Sequence, residues 1–426
     1  MLGGMIASRQ SAGAAPAWAG APRILTFTTL FPNSAAPSHG VFVENRLRHL
    51  VASGRVSARV VAPVPWFPSS APIFGRYANF AKAPRHEERF GIAIEHPRYP
   101  VLPKFGMSVA PLLLFLAALP VLRRLHAEQD FDLIDAHYFY PDGIAAALLG
   151  RALGKPVTIT ARRTDINLIP QHALPRKMIG WAGAKAAGMI AVSEALRREM
   201  IAQGLPAHRV RTLRNGVDLT MFQPIVRDET RAEFGLDGPT LLSVGHLIER
   251  KGHDRVIAAL AKLPGYALLI AGEGPERTAL ETLATSCGVA DRVRFLGSVP
   301  HRALARIYSA ADALVLASSR EGWPNVLLEA MACGSPVVAS NVWGAPELVC
   351  DHAAGVLMPE LSAEGVVAGV NALFAALPSR EATRRFAERY SWDETTAGQI
   401  QLFEEILSGR TAATPATAPT LSARAL

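Results

Sequence analysis

The chain has 426 residues, a length that exceeds one ordinary core and predicts two or three domains. Half of the residues are hydrophobic and 19% are charged, which is the balance of a globular protein and excludes a disordered one. The formal net charge of +8 suits an anionic partner, but the absence of an RNP motif, a zinc finger or a long Lys/Arg run argues against nucleic acid. Three widely spaced cysteines, without a CxxC pair, suit a reducing, cytoplasmic compartment.

Both ends of the chain are low in complexity. Residues 1–22 are rich in Ala, Gly and Ser and contain no apolar stretch long enough for the core of a signal peptide, so we predict a disordered tail. Residues 409–426 are rich in Ala, Thr and Pro and are predicted to form a second tail.

Short apolar, β-rich runs alternate with helical stretches along most of the chain. The runs are residues 23–29, 59–63, 91–95, 133–136, 156–161, 189–193, 240–244, 267–271, 293–296, 313–317 and 336–340. This alternation is the signature of parallel sheets built from βαβ units. The sequence therefore predicts an α/β protein with two doubly wound, Rossmann-like domains, whose ligands bind in a cleft at the carboxyl ends of the strands.

Turn residues cluster at 215–224, and we place the domain boundary there. The first domain would span residues 23–215 and the second 216–390. Residues 391–408 form a helical stretch after the second sheet, which we predict to pack back on the first domain.

The apolar segment 109–122 is the candidate membrane segment. It falls short of the roughly 20 residues that a spanning helix needs, and two prolines interrupt it. Burial in the core is one interpretation. The other is that the first domain docks on the inner face of the membrane, because Arg123 and Arg124 follow the apolar run.

A strand, a loop and a helix follow one another in residues 317–340, ASSREGWPNVLLEAMACGSPVVAS. Proline suits the first turn of a helix, so we predict that the helix begins near Pro324. The backbone N–H groups of Asn325, Val326 and Leu327 should then point unpaired toward the loop, where a phosphate finds both donors and the helix dipole. This corner is therefore a predicted phosphate site.

Two glutamates flank that corner. Glu329, one to two turns inside the helix, can accept hydrogen bonds from the two hydroxyls of a ribose, and Glu321 can reach a sugar beyond a diphosphate. Their spacing matches the length of a nucleotide-sugar. The alternative is that both are solvated acids at the end of a helix.

Several motifs resemble one family. EGWPNVLLEAMACGSPVVAS resembles the E-x7-E signature of retaining glycosyltransferases of family four, which have the GT-B fold. SVGHLIERKGHD resembles the first strand and phosphate-binding loop of that family's donor domain, LLIAGEGPE its second strand, and LRNGVDLTMFQP its interdomain segment. The match is dense in the second half of the chain and sparser in the first. It implies similarity to bacterial members that build polysaccharides.

The resemblance assigns roles in the second domain. Glu329 would bind the ribose, Glu321 the transferred sugar and Lys251 the diphosphate, while Gly245 would let the backbone approach the donor. One departure is His246, which stands where the family usually has arginine and which is largely uncharged at neutral pH.

Arg250, beside Lys251, can supply the cation that His246 does not. Alternatively, His246 is a turn residue without a ligand, or donor affinity is lower or pH-dependent.

In the first domain the resemblance implies that Gly40 allows a tight loop near the donor phosphate. His137 would lie at the edge of the cleft and orient the sugar, which makes it the second catalytic candidate after Glu321. A strand-end histidine bonded to backbone is the alternative. Asp165 and Arg163 are candidates for the acceptor side, and Arg163 stands where glycine is commoner in the family.

Other chemistries are weakly indicated. Asp130 and Asp132 form a DxD pattern, but it precedes a predicted strand and lies far from the donor motifs, so we expect no metal site. AGEGP lacks the full GxGxxG, and no GxSxG elbow occurs, which argues against dehydrogenases and hydrolases. We expect no cofactor, since the nucleotide-sugar is a substrate.

The sequence thus predicts a retaining, metal-independent glycosyltransferase that moves a sugar from a nucleotide-sugar to a glycan or lipid-linked acceptor, in polysaccharide or exopolysaccharide assembly. Two alternatives remain: a non-catalytic GT-B relative that serves as partner or scaffold, and a GT-B epimerase or phosphorylase. The base, the sugar, the acceptor, the linkage and the oligomeric state stay open.

Overall fold

The structure is a computed structural model that describes residues 21–101 and 106–409. The tails predicted at 1–22 and 409–426 lie outside these residues except for their inner ends. Two mostly parallel sheets, each covered by helices, form two α/β domains, which confirms the predicted fold class.

The strands of the first domain are, in chain order, β1 Arg23–Phe27, β2 Ser57–Val61, β3 Val64–Pro65, β4 His86–Arg89, β5 Ile92–Glu95, β6 Arg98–Tyr99, β7 Leu133–His137, β8 Val157–Ala161, β9 Gly188–Ala191 and β10 Val210–Thr212. The main sheet has the order β10-β9-β8-β7-β1-β2-β5-β4, and β3 pairs with β6 separately. Pairing in the main sheet is parallel except between β4 and β5. Every residue of β7, β8 and β9 is buried, as expected for central parallel strands covered on both faces.

The helices of the first domain are α1 Val41–Ala52, α2 Arg76–Lys82, α3 Gly106–Glu128, α4 Ile144–Leu153, α5 Thr164–Asn167, α6 Ala173–Lys185 and α7 Glu194–Ala202. They lie mostly between successive strands, which is the arrangement that parallel pairing requires.

Helix α3 corrects the prediction for the apolar segment. It runs unbroken for 23 residues with Pro111 and Pro120 inside it, so by length and composition alone it could cross a membrane. The helix continues through the prolines because one face is buried in the core at Leu114, Ala118 and Leu122, spaced one turn apart. The opposite face leaves apolar side chains exposed.

The strands of the second domain are β11 Thr240–Val244, β12 Ala267–Ala271, β13 Val293–Gly297, β14 Ala313–Leu316, β15 Val337–Ser340 and β16 Gly355–Met358. They form one parallel sheet in the order β13-β12-β11-β14-β15-β16. The order reverses direction at β11 and β14, and such a switch point is where doubly wound sheets bind ligands.

The helices that follow the first domain are α8 Arg227–Glu233, α9 His253–Leu260, α10 Arg277–Ser286, α11 Leu304–Ala310, α12 Asn325–Ala332, α13 Ala345–Leu348, α14 Ala363–Ala375, α15 Arg380–Glu388 and α16 Trp392–Leu407.

Helix α16 crosses back and packs on the first domain. The Trp392 ring stacks on His49 of α1 with centroids 5.2 Å apart. Gln399 accepts a hydrogen bond from Arg46 Nε at 2.7 Å and donates one to Asp135 Oδ2 at 2.9 Å. The last helix therefore reaches the buried polar residues behind the first sheet, so the chain joins the two domains twice.

Candidate functional site

A cavity of about 440 Å³ lies between the two domains, at the carboxyl ends of both sheets. Residues of both domains line it: Leu30, Phe42, Tyr138, Arg162, Arg163, Thr164, Val192, Asn215, Arg250, Lys251, Glu321, Gly322, Trp323, Pro324, Asn325 and Val326. The domains touch at its edge, where a Cβ on Gly322 would stand 2.1 Å from the carbonyl oxygen of Arg162. Only glycine fits this approach.

The corner between β14 and α12 forms the second-domain wall. Pro324 precedes the first helical residue, and its carbonyl accepts a hydrogen bond from the Leu327 N–H at 3.0 Å. The prediction of a free N–H on Leu327 is therefore wrong, and Leu327 itself is fully buried. Within the described part of the chain, the N–H groups of Asn325 and Val326 have no acceptor, and both residues line the cavity.

Glu321 is the centre of the charged groups at the cavity. Lys251 Nζ lies 2.6 Å from Glu321 Oε1, and Arg163 of the first domain lies 3.1 Å from Oε2. Arg250 is 3.7 Å away. Burial alone would raise the pKa of the Glu321 carboxyl, but the three cations outweigh burial and lower it. The carboxylate is therefore ionised.

The loop after β11 places Lys251. Gly245 ends the strand with φ at 150°, in the region that favours glycine, and a Cβ there would sit 3.4 Å from the Lys251 side chain. Arg250 lines the cavity and donates to the Arg320 carbonyl at 3.0 Å. His246 is exposed and does not line the cavity, so of the two candidate cations it is Arg250 that lies at the site.

Glu329 is buried inside α12 and does not line the cavity. Its Oε1 lies 3.0 Å from His301 Nε2, and its Oε2 accepts from the Tyr308 hydroxyl at 3.0 Å. Burial would lower the pKa of His301, but the Glu329 carboxylate outweighs burial and raises it. Neither partner was predicted, and no local motif links them to Glu329, because they precede it by 28 and 21 residues.

Gly40 shapes the first-domain loop from behind. It precedes α1 with φ at 72°, and a Cβ there would lie 2.3 Å from the Leu30 carbonyl oxygen. Leu30 and Phe42, on either side of it in the chain, line the cavity, whereas Gly40 does not.

His137 is not at the edge of the cleft, as predicted, but buried and 1% exposed. Its Nδ1 accepts from Arg162 at 2.6 Å, so Nε2 carries the proton and faces Asp135 Oδ2 at 3.2 Å. Burial lowers the pKa of the His137 imidazole to about 4, against the opposing effect of Asp135. His137 is the last residue of β7, a central strand of the sheet. Arg162, in the loop after β8, covers it and separates it from the cavity.

Asp165 is also buried, and does not face the cavity. Its carboxylate accepts backbone N–H groups of Phe139 at 2.8 Å and of Arg163 at 2.7 Å, which ties two loops together. Burial raises the pKa of this carboxyl. The prediction that Asp165 faces an acceptor is therefore wrong, whereas Arg163 does line the cavity.

The DxD carboxylates lie at the opposite end of the sheet, before β7. Asp132 accepts from Arg23 at 2.8 Å, and Asp130 pairs with Lys155 at 2.8 Å. Among the residues that the structure describes, no group of three or more His, Cys, Asp or Glu side chains could hold a metal ion.

Comparisons with known proteins agree with this architecture. Residues 77–221 match the family described as Glycosyltransferase Family 4, and residues 226–390 match Glycosyl transferases group 1. Sucrose-phosphate synthase from Thermosynechococcus elongatus superposes with a TM-score of 0.74 at 21% identity, over 91% of this chain and 99% of that one. Alr3699/HepE from Anabaena in complex with UDP-glucose superposes with a TM-score of 0.68 at 20% identity, over 91% and 99%. At these identities the structures show the fold.

Curated relatives are similar in sequence. D-inositol 3-phosphate glycosyltransferase of Segniliparus rotundus is 36% identical over 208 residues, and the match spans 46% of each chain, about half the relative's length. The protein of the same name from Saccharomonospora viridis is 30% identical over 80% of this chain and 85% of its own. Putative teichuronic acid biosynthesis glycosyltransferase TuaC of Bacillus subtilis is 29% identical over 79% and 86%. The chain therefore belongs to the family-four glycosyltransferases with the GT-B fold.

Proposed function

We propose that the protein is a retaining hexosyltransferase that transfers a sugar from a nucleotide-sugar to a glycan or lipid-linked acceptor. The observation that carries the proposal is the pair of half-buried Lys251 and buried Glu321, 2.6 Å apart, in a cavity that the start of α12 also lines. Family membership supports it, and so does the UDP-glucose bound to a protein of the same fold. The relative named for teichuronic acid biosynthesis supports a place in polysaccharide or exopolysaccharide assembly.

The donor would lie along the second-domain wall. Lys251, Arg250 and the free N–H groups of Asn325 and Val326 would hold the diphosphate, because compact cations and a helix N-terminus both favour phosphate oxygens. Glu329 would hold the ribose once the donor displaces His301 or Tyr308, which occupy its two carboxylate oxygens. These positive groups would stabilise the charge that develops on the leaving diphosphate, without a metal ion.

The transferred sugar would lie against Glu321. Breaking the anomeric bond leaves positive character on the sugar, which the ionised Glu321 carboxylate would stabilise while its oxygens orient the hydroxyls. The acceptor hydroxyl would attack from the face that the diphosphate leaves, so the anomeric configuration is retained. Closure of the two domains would exclude water. His137 would act as a positioning residue that fixes Arg162.

Thermal shift with UDP-, GDP- and ADP-sugars tests the proposal, because a ligand that binds only the folded protein stabilises it, by about 2.7 kcal/mol at 100 times its Kd. One base should stand out, and product analysis with that donor should show a new glycosidic bond. An epimerised donor as the product would contradict transfer. Stabilisation by none of the three would favour a non-catalytic scaffold.

Replacing Glu329 by alanine should weaken binding of the nucleoside diphosphate roughly 10-fold or more, since charged hydrogen bonds contribute about 1.5–3 kcal/mol each. Titration calorimetry measures the effect. Glu364→Gln, which removes an exposed carboxylate at the start of α14, is the matched control. Unchanged affinity in Glu329→Ala would remove this residue from the donor site.

We further propose that the protein is cytoplasmic and docks peripherally on the inner membrane face. Large apolar side chains are exposed on the first domain at Trp66, Ile73, Phe74 and Tyr77, and Ile73 is 87% exposed. Strand β6 connects this region to α3, whose outer face is also apolar. Arg98 of β6 donates to the Phe80 carbonyl on α2 at 2.6 Å, and β6 contacts α3. Exposed apolar side chains can insert into a bilayer, and the net charge of +8 favours a bilayer that is anionic.

Co-sedimentation with vesicles tests this docking. The protein should pellet with anionic vesicles more than with neutral ones, and the double variant Ile73→Ser/Phe74→Ser should lose most of the binding, because each inserted side chain contributes about 1.5–3 kcal/mol. Val226→Ser removes an apolar side chain of 61% exposure after the domain boundary and should bind like the wild type. A wild-type protein that stays in the supernatant with both lipids would end the proposal.

A further inference from the structure

Two consecutive arginines, Arg162 and Arg163, follow β8 and line the cavity from the first domain. Arg162 is 8% exposed, and Arg163 is half-buried. The Nε of each is buried and has no hydrogen-bond partner among the described residues. Buried donors are nearly always paired in folded proteins, so these two groups point to a missing acceptor.

Among the described residues Arg162 has no direct carboxylate partner, and its guanidinium carbon lies 5.1 Å from the centroid of the Phe42 ring. Its NH1 donates to the Asn215 side-chain oxygen at 3.3 Å and its NH2 to His137 Nδ1 at 2.6 Å, and both acceptors are neutral. Asp135 and Asp165 lie near enough to favour its charge, but Arg46 opposes them. Burial lowers the pKa of the Arg162 guanidinium to about 9. A buried cation without a direct carboxylate partner is costly, and an anion in the cavity would offset the cost.

The arginine pair and the donor groups lie on opposite walls. Arg163 reaches across the cavity to Glu321 Oε2 at 3.1 Å, while Lys251 holds Oε1 from the second domain. If Lys251 and Arg250 neutralise the diphosphate, as the proposed function has it, then Arg162 and Arg163 face the substrate on the other side of Glu321. The hydroxyl oxygens of a neutral sugar can accept from the two Nε donors, but they would leave the buried charge of Arg162 without a counter-charge.

We infer that Arg162 and Arg163 bind an anionic group, a phosphate or a carboxylate, that the acceptor carries near the hydroxyl that receives the sugar. The inference rests on the proposed function, which assigns the second-domain wall to the donor and leaves the first-domain wall to the acceptor. A guanidinium suits this task because its planar fork meets phosphate and carboxylate oxygens with two hydrogen bonds. Two adjacent forks would fix the acceptor's orientation as well as its charge.

Titration calorimetry on the full chain, saturated with the nucleoside diphosphate that stabilises it most, tests the inference at constant ionic strength. The probes are glucose 6-phosphate, glucuronate and neutral glucose. At least one anionic sugar should bind roughly 10-fold or more tightly than glucose, and Arg163→Gln should remove roughly that preference, since a charged hydrogen bond is lost. Arg198→Gln, which removes an exposed arginine of α7, should leave it unchanged.

The anionic probes separate the two sources. A preference for glucose 6-phosphate indicates a phosphorylated acceptor, and a preference for glucuronate indicates an acceptor with a uronic acid. Equal binding of all three sugars, or an unchanged preference in Arg163→Gln that still binds the nucleotide, would overturn the inference alone. Failure of the wild type to bind any nucleoside diphosphate would overturn the proposed function and the inference with it.

Discussion

Lys251→Met should lower kcat about 100-fold or more, as loss of one preorganised charge at a developing anion does in other enzymes. The methionine keeps an apolar stem against Gly245 but removes the ammonium that lies 2.6 Å from Glu321. Release of the nucleoside diphosphate from the donor measures the rate. Lys251→Arg, which keeps the charge, should recover part of the activity. A kcat close to that of the wild type in Lys251→Met would show that this lysine does not face the leaving group.

The same substitution should move the acidic limb of the pH–rate profile to higher pH. In the wild type, Lys251 is the first of the cations that hold the pKa of Glu321 below its ordinary value against burial. Without Lys251, only Arg163 and Arg250 counteract the effect of burial, which raises the pKa of Glu321, so this pKa should rise. The ionised form is then lost at a higher pH than in the wild type.

Glu321→Gln should also lower kcat about 100-fold, but by a different route. The substitution keeps the shape of the side chain and removes the single carboxylate that lines the described cavity. Lys251 and Arg250 then remain beside the diphosphate position without this carboxylate to neutralise them, so affinity for the nucleoside diphosphate should hold or increase while turnover falls. Such a split would separate a role at the sugar from a role in donor binding.

Two comparisons sharpen this result. Glu364→Gln, far outside the cavity, should have wild-type kinetics. The double variant Lys251→Met/Glu321→Gln should lose less than the product of the two single losses, because the two side chains contact each other. An active Glu321→Gln enzyme would remove Glu321 from catalysis.

The fold was largely predictable because its central strands are buried on both faces and therefore read as apolar runs. Each predicted run corresponds to a strand, with ends that differ slightly. Five strands in the described part of the chain were not predicted: β3, β6 and β10 have only two or three residues, β4 reads HEER and pairs antiparallel at the edge, and β16, an edge strand, was missed although it reads GVLM. Short edge strands depend on their neighbours more than on their own residues.

The second-domain wall was predictable for a related reason. Strands β11 and β14 are parallel neighbours, so the loops that carry Lys251 and Glu321 leave the sheet side by side. The first-domain wall was not. Whether His137 and Asp165 face the cavity or the protein interior depends on which loop covers which strand. Whether Arg163 reaches Glu321 depends on how the two domains pack against each other. Neither kind of information is present in the local sequence.

A structure of the protein with its nucleotide-sugar bound tests the central claim most directly. The account predicts the diphosphate between Lys251 Nζ and the N–H groups of Asn325 and Val326, the ribose within hydrogen-bond distance of Glu329, and the sugar against Glu321. A donor bound elsewhere, or bound here with its ribose turned away from Glu329 and toward Arg163, would contradict it.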